Sequence, residues 1–247
     1  MTETAQTKLA SESTQFNMPR ETARFNMSSD TARFNMIEQQ IRTWDVLDPT
    51  VLQLLNEMPR ENFVPEEYLG LAFADIEIPI GPDLDAGQTM LSPKLEGRIL
   101  QALNVQKTHS VLHIGTGSGY FTALLASLAK QVLSIEINAD LSAQAAKNLA
   151  AQNIQNVTLE VADAALACVD KQPFDVIVYT ASSPVEPAGV RQQLHIGGVM
   201  LIVLGKAPAM HATLIQRVSA TAFKQVVLFE TCIPKLINAP QAQQFEF

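Results

Sequence analysis

Cysteine is nearly absent, with only Cys168 and Cys232 among 247 residues. Two cysteines without metal-ligand spacing make neither a metal site nor a disulfide framework. Both are expected to be reduced and buried, as free cysteines usually are. Basic residues are in deficit, 17 Lys and Arg against 25 Asp and Glu, for a net charge of −8. A nucleic-acid surface needs clustered cations to neutralise phosphates, so no nucleic-acid partner is expected. No apolar run approaches the roughly 20 residues of a membrane helix. The opening "MTETAQTKLASEST" lacks the apolar stretch of a signal peptide. No membrane partner is expected, and the cytoplasm is the default location. Apolar residues, at 47%, suffice for a full core. The length suits one large domain or a domain with an attached lobe.

Three related pieces come first: "TQFNM" at 14–18, then "TARFNM" at 22–27 and again at 31–36. They set Phe16, Phe25 and Phe34 nine residues apart. That spacing puts successive copies on opposite sides of a helix, and an odd number flips them across a strand. The copies therefore cannot line one face of a regular element. Residues 1–36 are expected to form a mobile tail, with docking to a partner as the alternative. Only the third copy runs into a helix, "ARFNMIEQQIRTW".

From 37 to 106 the pattern is helical with turns. Asp48-Pro49 and Ser92-Pro93 each read as an N-cap followed by proline at the first helical position. "PRENFVPEEY" reads as a turn and a short helix, and "DIEIPIG" as a short strand. From 107 to 247 strands and helices alternate, which predicts a parallel sheet with helices on both faces. The strands are "HSVLHIG", "QVLSIEIN", "VTLEVAD", "FDVIVYTAS", "VMLIVLG", "HATLIQRVSA" and "FKQVVLFETCI". "PAGVRQQLHIGG" reads as a helix stopped by Gly-Gly, and the short link "ATA" makes the last two strands an antiparallel hairpin.

The first strand of this half runs into Gly115, Gly117 and Gly119, and then into a helix. Glycines there permit a tight turn against which a ligand can lie, and the helix N-terminus adds a positive dipole end. A dinucleotide turn requires G-x-G-x-x-G, and no frame here supplies it. G-x-G-x-G is the turn of S-adenosylmethionine-dependent methyltransferases. Glu136 ends the second strand, where a carboxylate can accept from both ribose hydroxyls. Asp163 ends the third, where it can accept from the adenine amino group while the Ala164 N–H faces the ring. All three positions are carboxyl ends of parallel strands, where open α/β sheets bind ligands. A last strand inserted antiparallel is a further methyltransferase feature. The fold expected is an α/β, Rossmann-like, class I S-adenosylmethionine-dependent methyltransferase with an N-terminal helical region.

The stretches "PRENFVPEEYLGLAFADIEIPIG" (59–81), "GQT" (87–89), "VLHIGTGSGY" (111–120), "FDVIVYTASSP" (174–184) and "GGVMLIVLG" (197–205) resemble protein-L-isoaspartate O-methyltransferases over roughly 37–232. The glycine turn is shared by many methyltransferases, whereas 59–89 is specific to this family. The resemblance implies transfer of a methyl group from S-adenosylmethionine to the carboxylate of an isoaspartyl residue in a protein or peptide, leaving S-adenosylhomocysteine, as a step of protein repair. No metal is implied. The candidate cofactor-binding residues are Gln88, Thr89, Leu91, His113, Gly115, Thr116, Gly117, Ser118, Gly119, Tyr120, Glu136, Ile137, Asp163, Ala164 and Thr180. The candidate catalytic residue is Ser92.

Two departures from the family stand out. The strand before its glycines usually ends in an acid, and here it ends in His113, which either supports the loop or replaces the acid. The family's serine after "Q-T-I" falls on Leu91, so Ser92, the next residue, either touches the acceptor or only caps the helix. The family's aromatic or histidine after the proline is Lys94, expected to be solvated, with pairing to a carboxylate as the alternative. The closing "IPKLINAPQAQQFEF" is expected to lie across the surface and cover the active-site mouth, with Phe245 and Phe247 as anchors. Two alternatives stay open at this point: a methyltransferase with another acceptor, and a protein that binds S-adenosylmethionine without turnover.

Overall fold

The computed structural model describes residues 28–81, 87–165 and 173–241. Its first helix takes in the third repeat. α1 (Ser29–Asn35) is capped by the Ser28 hydroxyl, which accepts from Thr31 N. The chain continues through a π-helical turn, Met36–Ile41, and a 3-10 turn, Arg42–Trp44. Met36 and Ile41 are fully buried, whereas Phe34 is 60% exposed. Phe16 and Phe25 lie outside the described residues.

α2 (Pro49–Glu57) starts as its cap requires, with Asp48 Oδ1 accepting from Thr50 N at 2.8 Å and Val51 N at 3.1 Å. "PRENFVPEEY" forms two 3-10 turns, Arg60–Phe63 and Glu66–Leu71. β1 (Ile78–Pro79) and β2 (Thr89–Met90) pair antiparallel beside α3 (Pro93–Leu103). Ser92 holds the N-cap position of α3, but its side chain makes no cap hydrogen bond.

The main sheet contains β3 (Ser110–Ile114), β4 (Gln131–Glu136), β5 (Val157–Val161), β6 (Phe174–Ser183), β7 (Leu194–Lys206), β8 (Ala209–Arg217) and β9 (Phe223–Glu230). Their order is β5-β4-β3-β6-β7-β8-β9. The first five are parallel, and β8 runs antiparallel to both β7 and β9. The expected C-terminal hairpin is present, but the inserted antiparallel strand is the penultimate one, and the last strand forms the edge. α4 (Tyr120–Leu128) links β3 to β4, and α5 (Ala139–Ala151) links β4 to β5. Strand order reverses beside β3, so a crevice opens where β3 and β6 end.

Alternation along β3 divides the core. Val111 faces one hydrophobic cluster, and Leu112 and Ile114 face the other. α2, α3, α4 and Leu149 of α5 all join the first cluster, as do Met36 and the 3-10 residue Phe63. The N-terminal region therefore shares one core with the sheet. No described α-helical residue joins the second cluster, which is covered by Val190, Ala164 and Leu236. Of the two faces expected to carry helices, the described residues show them on one; residues 166–172, in the connection from β5 to β6, lie outside the described residues.

The helix expected over 187–198 is also absent. Only a 3-10 turn, Val190–Gln193, forms before β7 begins at Leu194. The pairing of β7 with β6 slips between Leu194 and Val199, and Gly197 sits there at φ +92°. The Gly-Gly pair thus makes a bulge inside a strand rather than a helix stop. Cys232 is exposed, against expectation, because Ile233 takes the inward position of that stretch; Cys168 lies outside the described residues.

Candidate active site at the sheet's switch point

The chain leaves β3 through Gly115, Gly117 and Gly119, all at positive φ. At Gly119 (φ +87°) a Cβ would lie 3.2 Å from Ala145 Cβ, so glycine lets α5 pack against the turn. At Gly115 (φ +96°) a Cβ would lie 2.7 Å from Thr180 Oγ1. Glu136, buried at the end of β4, ties the turn down. Its Oε2 accepts from Gly117 N at 2.9 Å and its Oε1 from Asn138 N at 3.1 Å. A carboxylate offers about four acceptor positions, so two remain for a ligand.

Beside this turn lies a cleft of about 590 Å³, open mouth included. Seven of the sequence-predicted residues line it: Gln88, Thr89, Gly115, Gly117, Glu136, Ile137 and Thr180. Ile80 and Leu141 complete its walls, and residues 234–237 close one side. Sequence reasoning placed the C-terminal segment over the mouth, and Pro234, Lys235, Leu236 and Ile237 occupy that position. Phe245 and Phe247 lie outside the described residues. An adjoining hollow holds Asp163 and Ala164 with Glu136, Ile137, Leu236 and Ile237. Another, toward α4, holds Leu91, Thr116, Ser118 and Tyr120. Gly119, His113 and Ser92 line none of the three.

His113 lies beneath the turn, fully buried, and it packs rather than faces the cleft. Its Nδ1 is 2.9 Å from Thr122 Oγ1 and 3.1 Å from Ser134 Oγ, and its Nε2 is 3.1 Å from Thr180 Oγ1. Thr180 Oγ1 donates to Gly115 O at 2.8 Å, so its lone pair must accept from Nε2–H. The imidazole is therefore the Nε2–H tautomer, with Nδ1 accepting from a hydroxyl. Burial pushes its pKa down from 6.5 to about 3, which keeps it neutral. A neutral ring bridging β3, α4, β4 and β6 supports the loop where the family usually has an acid.

Sequence reasoning missed a second buried group. Arg60 and Glu96 form an ion pair with side chains 1% and 2% exposed. Arg60 Nε also donates to Ala72 O at 2.9 Å and Nη2 to Leu91 O at 2.8 Å, with the guanidinium stacked 4.8 Å from the Tyr120 ring centroid. Burial raises the Glu96 carboxyl to about 7, and the Arg60 charge pulls against it. One arginine thus pins the 3-10 turns, the loop at Leu91 and the start of α4. The available signal was Glu96 itself, a charge on the same helical stripe as Ile99, Leu100 and Leu103. Lys94 is paired rather than solvated, with Nζ 2.7 Å from Asp75 Oδ2 and 4.6 Å from the Trp44 ring centroid.

Among the described residues, no group of three His, Cys, Asp or Glu side chains could hold a metal, and no helix is long and apolar enough to cross a membrane. A family profile for protein-L-isoaspartate(D-aspartate) O-methyltransferase matches residues 31–233. The chain is 39% identical over 181 residues to protein-L-isoaspartate O-methyltransferase 2 of Marinobacter nauticus, covering 73% of this chain and 81% of that one. It is 38% identical over 185 residues to the protein-L-isoaspartate O-methyltransferase of Magnetococcus marinus, covering 75% and 79%. Among solved structures, a protein-L-isoaspartate O-methyltransferase superposes with a TM-score of 0.72 at 23% identity, over 82% of this chain and 65% of that one. A Plasmodium falciparum protein of the same description, in complex with S-adenosyl-L-homocysteine, gives 0.69 at 19% identity, over 84% and 97%. These two likenesses bear on the fold. With profile, sequence relatives and sheet in agreement, the chain belongs to the protein-L-isoaspartate O-methyltransferase family.

Proposed function

We propose that the cleft binds S-adenosylmethionine and directs its methyl group to the carboxylate of an isoaspartyl residue in a damaged protein or peptide, as a step of repair. The observation that carries this reading is Glu136, held at the turn by two backbone N–H groups with acceptor positions to spare for ribose hydroxyls. Asp163 takes the adenine amino group, and the Ala164 N–H faces the ring. The turn from Gly115 to Tyr120, with Gln88 and Thr89 opposite, holds the methionine end. His113 acts through the turn by fixing Thr180 and the Gly115 carbonyl.

The bound cofactor supplies a methyl group on a positively charged sulfur. The acceptor carboxylate is already ionised at neutral pH, so the chain need supply no base. Its contribution is alignment, which can account for up to ~7–11 kcal/mol of barrier lowering. Ile80, Pro234, Leu236 and Ile237 put apolar residues on the cleft walls, and exclusion of water by a bound substrate would favour a reaction that consumes charge. Arg60 sets the acceptor side through its bond to Leu91 O. Ser92, whose hydroxyl is not spent on a cap, is proposed to touch the acceptor. We also place the protein in the cytoplasm, on its net charge of −8 and its two cysteines.

Incubation with methyl-labelled S-adenosylmethionine and an isoaspartyl peptide, against its aspartyl isomer, tests this. Base-labile label on the isoaspartyl peptide alone is expected. Binding heat with no transfer to either peptide points instead to another acceptor or to a non-catalytic binder.

A further inference from the structure

The segment after Ile233 lies beyond the family-matched residues, and it is fastened at two places. Ser182 N donates to Pro234 O at 2.8 Å, and Leu236 N donates to Ser182 O at 2.8 Å, which locks Lys235 beside β6 like an added strand residue. The chain then turns, with Ala239 N donating to Leu236 O at 3.1 Å. Asn238, third in that turn, sits at φ +59°, where asparagine is tolerated well. A turn needs nothing more of the residue, yet the side chain reaches back across the sheet. Asn238 Nδ2 donates to Asp163 Oδ2 at 2.7 Å. The other oxygen, Oδ1, accepts from Ala165 N at 2.9 Å. Leu236 and Ile237, immediately before, form one wall of the hollow that Asp163 and Ala164 share with Ile137.

We infer that Asn238 latches the C-terminal segment onto the carboxylate that reads adenine, so that the latch sets how fast the nucleoside leaves. The inference rests on the placement of adenine at Asp163. The two bonds Asp163 already accepts hold its carboxylate in one orientation and leave two acceptor positions for the adenine amino group. Asn238 therefore positions the reader without competing for it. Leu236 and Ile237 cover the ring only while the latch is closed. Release of S-adenosylhomocysteine requires the Asn238–Asp163 bond to open, whereas the pairing at Ser182 can persist as the hinge.

The test is the dissociation rate of S-adenosylhomocysteine, measured by stopped-flow on the full chain. Asn238→Gly keeps the turn and deletes the amide. Asn238→Asp keeps size and turn tolerance and sets a carboxylate against Asp163. Release is expected to quicken about threefold to tenfold in the first and tenfold or more in the second, with the melting temperature of ligand-free protein unchanged within about a degree. In an Asp163→Asn background the Asn238→Asp effect is expected to fall below about twofold, because the repelling charge is gone. Wild-type release rates in both single variants overturn the latch, provided Asp163→Asn weakens binding. If Asp163→Asn itself leaves affinity unchanged, the adenine placement fails and the latch fails with it. A loss of melting temperature in both variants with unaltered release identifies a turn residue only and also overturns it.

Discussion

Replacing His113 by glutamine should change how the fold responds to acid. The imidazole is fully buried, among Thr122, Ser134 and Thr180, and burial takes its pKa from 6.5 to about 3. Between these values the unfolded chain binds a proton that the folded chain refuses. Stability therefore falls as pH drops through that window, approaching ~1.4 kcal/mol per pH unit. From pH 6.5 to 4.5 the loss from this one residue is ~2 kcal/mol, a large share of the 5–15 kcal/mol that domains possess. Glutamine can donate to Thr180 and accept from the hydroxyls on the other side, but it does not titrate. Urea unfolding of both proteins at pH 7.5, 6.5, 5.5 and 4.5 reads the difference. At pH 7.5 the wild type should be the more stable, by ~1–3 kcal/mol for imperfectly remade bonds. The gap should then close by ~2 kcal/mol between pH 6.5 and 4.5, approaching ~1.4 kcal/mol per unit below about pH 5.5. Glu96, raised to about 7, acts in the opposite sense, losing stability as pH rises from 4.5 to 7. It is common to both proteins and cancels. A gap that stays constant from pH 7.5 to 4.5 refutes the burial argument.

Glu136→Ala should weaken S-adenosylmethionine binding by ~1.5–3 kcal/mol in calorimetry. It should also lower the melting temperature without ligand, because Gly117 and Asn138 lose their acceptor; an unchanged dissociation constant removes the ribose assignment. Ser92→Ala should leave unfolding free energy within ~0.5 kcal/mol, since no cap bond is lost. It should lower turnover on an isoaspartyl peptide; unaltered kinetics mean that Ser92 does not touch the acceptor. Arg60→Leu should cost ~3–5 kcal/mol in denaturant unfolding by stranding Glu96 in the core. Adding Glu96→Leu should restore much of that loss, and no recovery would mean that the Ala72 and Leu91 bonds carry the effect.

The strands and helices on either side of the glycine turn were legible because each is specified locally. Asp48 followed by Pro49 starts α2, and three spaced glycines end β3. The mostly apolar α4, interrupted by Thr122 and Ser127, marks a helix buried on nearly every side. The misreadings came where local pattern was ambiguous. Gly197-Gly198 fits a helix stop or a bulge, and pairing with β6 selects the bulge. Ser92 before Pro93 has the form of a cap, but the side chain does not use it. Lys94 looked solvated until Asp75 and Trp44 were placed beside it.

Strand order, too, is invisible to local pattern, and here it left the last strand at the sheet edge. The chemistry of the cofactor cleft was thus written into short stretches: a turn that only glycines allow, and acids at two strand ends. What supports and encloses that cleft was decided by contacts between residues far apart in the chain. Arg60 meets Glu96, His113 meets Thr180, and Asp163 meets Asn238 75 positions later. Periodicity and capping act over one or two turns of chain, whereas a buried polar group finds its partner only once the sheet has ordered its strands.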